Sequence, residues 1–178
     1  MRSRKWIVTA LAFVGAVGLT ACSTLRTTTD YDRTTDFGRF RVFDVEKVST
    51  RGNDLLGRRI QSALESEFTG KGLQESDRDP DLLIVAHTRL DHETAIYTYN
   101  TGWGWGWRRW HGGPGWAYST VEQIPIGTLI VDLVDAKSKQ LVWRSTASDA
   151  IDPNATPEER EKTVTKAVSK MFETYPHA

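Results

Sequence analysis

The chain has 178 residues, which is enough for one domain with its own hydrophobic core. Its hydrophobic fraction of 39% and its charged fraction of 26% are ordinary for a globular protein. The 23 basic and 23 acidic residues balance, which excludes the strongly basic surface that nucleic-acid binding requires, so no nucleic-acid partner is expected.

The start of the chain, MRSRKWIVTALAFVGAVGLTAC, is organised like a bacterial lipoprotein signal peptide. Three basic residues precede an apolar run over residues 6–19, which is shorter than the roughly 20 residues of a membrane-spanning helix. The run ends in LTAC, which resembles the cleavage site of lipoprotein signal peptidase. The resemblance implies that residues 1–21 are removed and that Cys22 receives a diacylglycerol and an acyl chain such as palmitate.

The residue after the cysteine predicts where the mature chain goes. By analogy with Gram-negative sorting, Ser23 indicates the outer membrane, with the domain facing the periplasm. Cys22 is the only cysteine, so no disulfide competes for it. The alternative is an ordinary secreted protein with a chance cysteine. We expect the membrane as a partner through lipidated Cys22, and a mature chain of residues 22–178.

Two β-like runs and a helix open this mature chain. Alternation over residues 25–31 and 40–45 predicts two short strands separated by a polar turn. The helix has Asp54 as its predicted N-cap, and Gly70 and Gly72 as its stop. Its apolar stripe recurs at spacings of three and four: Leu56, Ile60, Ala63, Leu64 and Phe68.

The middle of the chain predicts three strands. The first begins near residue 82 and is predicted to be buried on both faces at its start. One face carries Leu82, Ile84, Ala86 and Leu90, and the other carries Leu83, Val85, His87, Arg89 and Asp91. The runs 127–136 and 139–150 predict a hairpin around the polar segment 135–139.

The last helix has the clearest signals. Thr156 and Glu159 match a capping box, and Pro157 occupies the first helical position. Pro176 is its predicted end. The apolar stripe that we assign to the core is Val164, Ala167, Val168, Met171, Phe172 and Tyr175.

The predicted order is β, β, α, β, β, β, α. We therefore predict a single α+β domain, in which a mostly antiparallel sheet carries both amphipathic helices on one face. A long hairpin rich in glycine and tryptophan, at about residues 100–116, interrupts the sheet.

This insert, WGWGWRRWHGGPGW in its central part, holds five of the seven tryptophans. It is either an unconstrained loop, a platform where tryptophans stack on sugar rings and arginines pair with anions, or a membrane contact in the headgroup region. Without a bulge, the odd-numbered aromatics from 97 to 107 share one face. The candidate contact residues are Trp103, Trp105, Trp107, Arg108, Arg109, Trp110 and Trp116.

No pattern in the sequence predicts catalysis, a metal or a cofactor. His87 and His92 are an odd number of positions apart, so a regular strand puts them on opposite faces. The sequence contains no HExxH, CxxC or GxSxG pattern, and GWGWGW does not open a helix as a nucleotide-binding loop does. We expect that the protein is not an enzyme.

Several segments together resemble the bacterial lipoproteins of domain of unknown function 4136. They are the lipobox, DYDRTTDFGRFRVF, DPDLLIVAH, GTLIVDLVDAKSKQLVWRSTAS and the Pro-Glu-Glu helix start. The resemblance implies the fold and the envelope location, and it implies no catalytic residues. The chain departs from the family at Asp44-Val45, where an aromatic residue is expected.

These observations predict a lipid-anchored cell-envelope lipoprotein that is structural or interacting and uses its aromatic hairpin as a contact surface. An envelope protein or a glycan is a possible partner. The alternative is a carbohydrate-binding module for peptidoglycan or lipopolysaccharide.

Overall fold

A computed structural model describes residues 24–100 and 117–176, with the backbone alone for residues 95–100 and 117–122. The elements are β1 (Arg26–Tyr31), a 3-10 turn (Phe37–Arg39), β2 (Val42–Ser49), α1 (Asp54–Gly70), β3 (Gln74–Glu75), β4 (Leu82–Asn100), β5 (Ala117–Asp135), β6 (Leu141–Ala150) and α2 (Pro157–Phe172). The predicted α+β class and element order are confirmed. The two-residue strand β3 is an addition that the sequence did not predict.

The strands form one mixed sheet in the order β1-β6-β5-β4-β2-β3. The four strands β1, β6, β5 and β4 are antiparallel, whereas β2 runs parallel to both β4 and β3. The two strands that open the domain therefore do not pair with each other. The predicted hairpin of β5 and β6 is confirmed.

Both helices pack on the same face of this sheet. Cross-strand neighbours Ile84, Leu133 and Trp143 point to that face and are fully buried. The indole of Trp143 stacks on the ring of Phe172 from α2, with 4.7 Å between ring centroids. Phe68 from α1 meets the same Phe172 ring edge-on at 4.9 Å. One aromatic cluster thus joins the sheet and both helices.

The helix ends differ slightly from the predicted ones. The N-cap of α1 is Asn53, not Asp54, because the Asn53 side chain accepts a hydrogen bond from the Leu56 N–H at 3.0 Å. The capping box of α2 is confirmed. This helix ends at Phe172, before Pro176, and the next turn brings Tyr175 into the core with 6% of its surface exposed.

The burial of β4 is lower than the sequence predicted. Leu83 and Val85 are only half-buried, because the helices cover the opposite face. Leu90 lies on the same face as buried Ala86 but is 53% exposed. It lies further along β4, beyond His87, the last residue that pairs with β2.

The family departure at Asp44-Val45 coincides with an irregularity in the sheet. Strand β2 continues through both residues, but its register against β4 shifts between Asp44 and Lys47. Such a bulge locally changes which side chains face the core.

Within the described residues, no helix is both long and apolar enough to cross a membrane.

Tyr175 provides a test of this core by alkaline titration. Burial raises the pKa of its phenol from 10.0 to about 12. The fold favours the neutral phenol over the charged one. The contribution of Tyr175 to the stability of the fold is therefore complete below pH 10 and is lost as the pH rises toward 12. We expect absorbance of tyrosinate to reveal one late-titrating phenol among the five tyrosines, absent from Tyr175→Phe. Titration of every tyrosine near pH 10 in the folded protein would contradict the packing.

Candidate functional site

The contact residues that the sequence predicts lie outside the described residues. They are Cys22, Trp103, Trp105, Trp107, Arg108, Arg109, Trp110 and Trp116. Their roles therefore stay predictions, and the structure instead defines the scaffold that carries them.

That scaffold is an arm formed by the hairpin of β4 and β5. The two strands pair without a register shift from Leu82↔Asp135 to Asn100↔Ala117. Their partners end earlier: β2 pairs with β4 as far as His87, and β6 pairs with β5 as far as Ile126. We call the unaccompanied segments, residues 93–100 and 117–124, the arm. It is a two-stranded ribbon that projects past the rest of the described sheet.

The first described residues lie at the same end of the sheet as the base of the arm. Strand β1 is antiparallel to β6, and its first residue, Arg26, pairs with Ser148 near the end of β6. Just before it, the Thr24 hydroxyl donates a hydrogen bond to the carboxylate of Asp149. Asp149 pairs with Gly127 on β5, which pairs with Leu90 on β4. The chain therefore enters the domain beside the arm.

Apolar side chains are exposed at this end. Leu90 is 53% exposed and Ile151 is 37% exposed. Ile151 lies over Gly127, where an added Cβ would be 3.1 Å from two of its side-chain carbons, and its N–H bonds to the Pro125 carbonyl at 2.9 Å. We call Leu90, Pro125 and Ile151 the apolar rim.

The polar residues that the sequence placed near the arm do not form a reactive cluster. Arg89 and Asp91 make an exposed ion pair at 2.7 Å, as expected for a solvated polar face. Among the described residues, no group of three or more histidine, cysteine or acidic side chains could hold a metal ion.

The opposite end of the sheet holds a buried carboxylate that the sequence analysis missed. Asp135 is 4% exposed and accepts hydrogen bonds from the Lys137 and Ser138 N–H groups at 2.8 and 3.1 Å. The Arg39 guanidinium also donates to it. Burial acts to raise the pKa of Asp135, but the two N–H groups and Arg39 outweigh it and hold this pKa below 3.8. This carboxylate joins the β5–β6 turn to the 3-10 turn.

We expect Asp135→Asn to destabilise the fold by about 1.5–3 kcal/mol at neutral pH, because it weakens charge-assisted hydrogen bonds in a buried place. Since the folded pKa is depressed, the wild-type contribution is present above pH 3.8 and is lost as the pH falls below it. Urea unfolding at pH 7 and at acidic pH measures both effects. The exposed Asp30→Asn is the control. Equal stability losses for the two variants would show that the Asp135 contacts do not matter.

Beside this carboxylate is an open cleft of about 340 Å³. Four acidic and two lysine side chains line it: Asp44, Glu46, Asp77, Asp79, Lys137 and Lys139.

The face of the sheet without helices also carries a bidentate ion pair, in which Arg144 donates to both oxygens of Asp132 at 2.6 and 2.7 Å. Hydrogen bonding to Asp132 raises the pKa of Arg144 further. This pair ties neighbouring strands together.

The fold and the arm define a class of single-domain α+β proteins, in which one face of a mixed sheet carries two helices and the central hairpin extends beyond it. A model of the family described as domain of unknown function (DUF4136) matches residues 27–177, and the chain belongs to this family. No curated protein matches the chain significantly.

Solved structures share the fold at low sequence identity. A PelC dodecamer from Paraburkholderia phytofirmans superposes with a TM-score of 0.50 at 12% identity, over 83% of this chain and 94% of that chain. A PDZ domain protein from Parabacteroides distasonis superposes with a TM-score of 0.51 at 20% identity, over 88% of this chain and 36% of that chain. This chain therefore resembles a little over a third of the latter protein.

Proposed function

We propose that this protein is a lipid-anchored, non-enzymatic module of the bacterial cell envelope, and that its arm presents the tryptophan-rich insert as a contact surface. In this proposal, signal peptidase removes residues 1–21, and Cys22 carries the lipid. Ser23 directs the chain to the periplasmic face of the outer membrane of a Gram-negative cell.

The projection of the arm is the observation that carries the proposal. A two-stranded ribbon on its own is at best marginally stable in water. Here eight residue pairs, from Glu93↔Ile124 to Asn100↔Ala117, extend beyond every neighbouring described strand and lead directly into residues 101–116. A ribbon of this kind is stabilised when its surface is covered by a partner. Tryptophan and arginine are residues that interfaces favour.

The described charged groups support a structural rather than a catalytic role. Asp135 fixes the turn that leads out of β5. Asp81 accepts from the Arg41 and Val42 N–H groups and so fixes the start of β2. Asp132 holds Arg144 on the adjacent strand. Each of these three carboxylates accepts hydrogen bonds that join neighbouring parts of the fold.

Tryptophan fluorescence tests the contact surface. Removal of residues 1–21 leaves six tryptophans, five in the insert and Trp143, which is fully buried against Phe172. We expect a blue shift of the emission when the purified mature chain meets its ligand class. Lipid vesicles and soluble peptidoglycan fragments are the two probes, so a shift with the glycan alone would favour the carbohydrate-binding alternative.

A matched control removes the signal while keeping the fold. Replacing the five insert tryptophans with phenylalanine leaves Trp143 as the only tryptophan of the mature chain, and its emission should not respond to either probe. In a pull-down from envelope extract, a chain lacking residues 102–115 should lose the partners that the intact chain retains. Emission of the intact chain that ignores both probes, with no partner lost on deletion, would contradict the proposed contact role.

A further inference from the structure

We infer that the apolar rim and the arm, at one end of the sheet, form a membrane-contact surface, with the strands tilted so that the arm lies along the lipid headgroups. This inference rests on the proposed lipid anchor at Cys22. It adds which surface of the domain faces the bilayer, and it names a lipid surface as the occupant of the rim.

The position of Thr24 restricts where the anchor can lie. Its hydroxyl donates to Asp149, at the end of β6. Cys22 is two residues earlier, and two extended residues span at most about 7 Å. The lipid on Cys22 therefore holds this end of the sheet within about one headgroup layer of the bilayer.

The apolar rim lies beside that attachment point. Neighbouring strands are about 4.8 Å apart, so β4 is about 14 Å from β1, across β6 and β5. Ile151 directly follows β6, the strand next to β1. Leu90 and Ile151 are two of the five exposed large hydrophobic side chains among the described residues, at 53% and 37%. A lipid surface held at this end would cover both of them.

The length of the arm leaves little choice of direction. The ten residue steps from Leu90, in the rim, to Asn100, at the last described residue of the arm strand, rise about 33 Å, several times the reach of the Cys22 tether. The arm cannot stand in the narrow aqueous gap that such a tether allows. Nor can a two-stranded ribbon sit in the hydrocarbon, because the outer backbone groups of both strands would lose their hydrogen bonds to water. It therefore lies along the headgroup region, with the strands tilted toward the membrane plane.

Two exposed leucines provide a matched test. Leu90 is at the arm end of the sheet, and Leu141, 46% exposed, starts β6 at the opposite end. Leu90→Cys and Leu141→Cys are each expressed as the full chain in a Gram-negative host, where Cys22 is acylated. The introduced thiol is labelled with a polarity-sensitive dye, and the protein is reconstituted into phosphatidylethanolamine and phosphatidylglycerol vesicles. Circular dichroism checks that both variants fold. If Leu90→Cys does not fold, Ile151→Cys takes its place.

We expect a blue-shifted dye at position 90, quenched by nitroxide-labelled lipids, and an unshifted, unquenched dye at position 141. Mass spectrometry of the N-terminal peptide reports the lipid on Cys22 in the same samples. A lipidated, vesicle-bound chain whose two dyes behave alike would overturn the inference and leave the anchor intact. A chain without lipid that does not bind vesicles would overturn the proposed function, and the inference with it.

Discussion

Phe172→Ala is expected to lower the free energy of unfolding by about 3–5 kcal/mol, the range for truncating a fully buried aromatic side chain. The ring of Phe172 is completely buried and touches the sheet through Trp143 and the other helix through Phe68. Truncation removes apolar contacts on both sides at once. It also leaves a cavity that neither helix can fill without moving away from the other.

Urea denaturation followed by circular dichroism measures this change, with Leu141→Ala as the control. Leu141 is 46% exposed, so its truncation should change stability by about 0.5 kcal/mol or less. A loss for Phe172→Ala no larger than that of the control would mean that the aromatic cluster does not hold the two helices to the sheet.

Local signals explain why the helices could be predicted closely from the sequence. The capping box of α2 is satisfied between residues three apart, with the Glu159 N–H bonded to the Thr156 hydroxyl at 3.2 Å. Its apolar stripe needs only the helical repeat. The one-residue error at the start of α1 has the same origin, because Asn53 and Asp54 are both good caps and only the observed bond to Leu56 distinguishes them.

By contrast, no local sequence pattern predicts which strands pair with each other. Strand β1 pairs with β6, so Thr29 lies beside Ser145, although most of the sequence separates the two residues. Strand β2 pairs in parallel with β4, across the whole of α1. Alternation predicts that a strand exists and which residues share a face, but it does not predict which strand lies beside it.

The same limit applies to the candidate site. Segment 135–139 was correctly predicted as the turn of a hairpin, yet nothing near it in sequence indicates that Arg39 completes its hydrogen bonds. Alternation assigns Leu90 to the correct face, but its 53% exposure depends on what packs over that face in the folded domain. The meeting of Thr24 and Asp149 at the base of the arm likewise exists only in the folded sheet.

Replacing residues 1–22 with an ordinary secretory signal, cleaved before Ser23, is expected to move the protein from the membrane fraction to the soluble periplasmic fraction. Each buried methylene of a lipid contributes about 0.8 kcal/mol, so the several acyl chains proposed on Cys22 would hold the wild type firmly. Detergent should release that form and high salt should not. Substituting Cys22 alone is a weaker test, since an uncleaved apolar run over residues 6–19 would remain attached.

The matched control carries the new signal with the LTAC sequence restored before Ser23, and it should return to the membrane fraction. Wild-type protein in the soluble fraction would contradict the anchor. If the unlipidated form still sediments with membranes, deleting residues 102–115 from it separates the two sources of affinity. Release on deletion would show that the insert binds the bilayer without the lipid. Because the proposed tether and the arm are at the same end of the sheet, each would keep the other close to the bilayer, and we expect their affinities to reinforce each other.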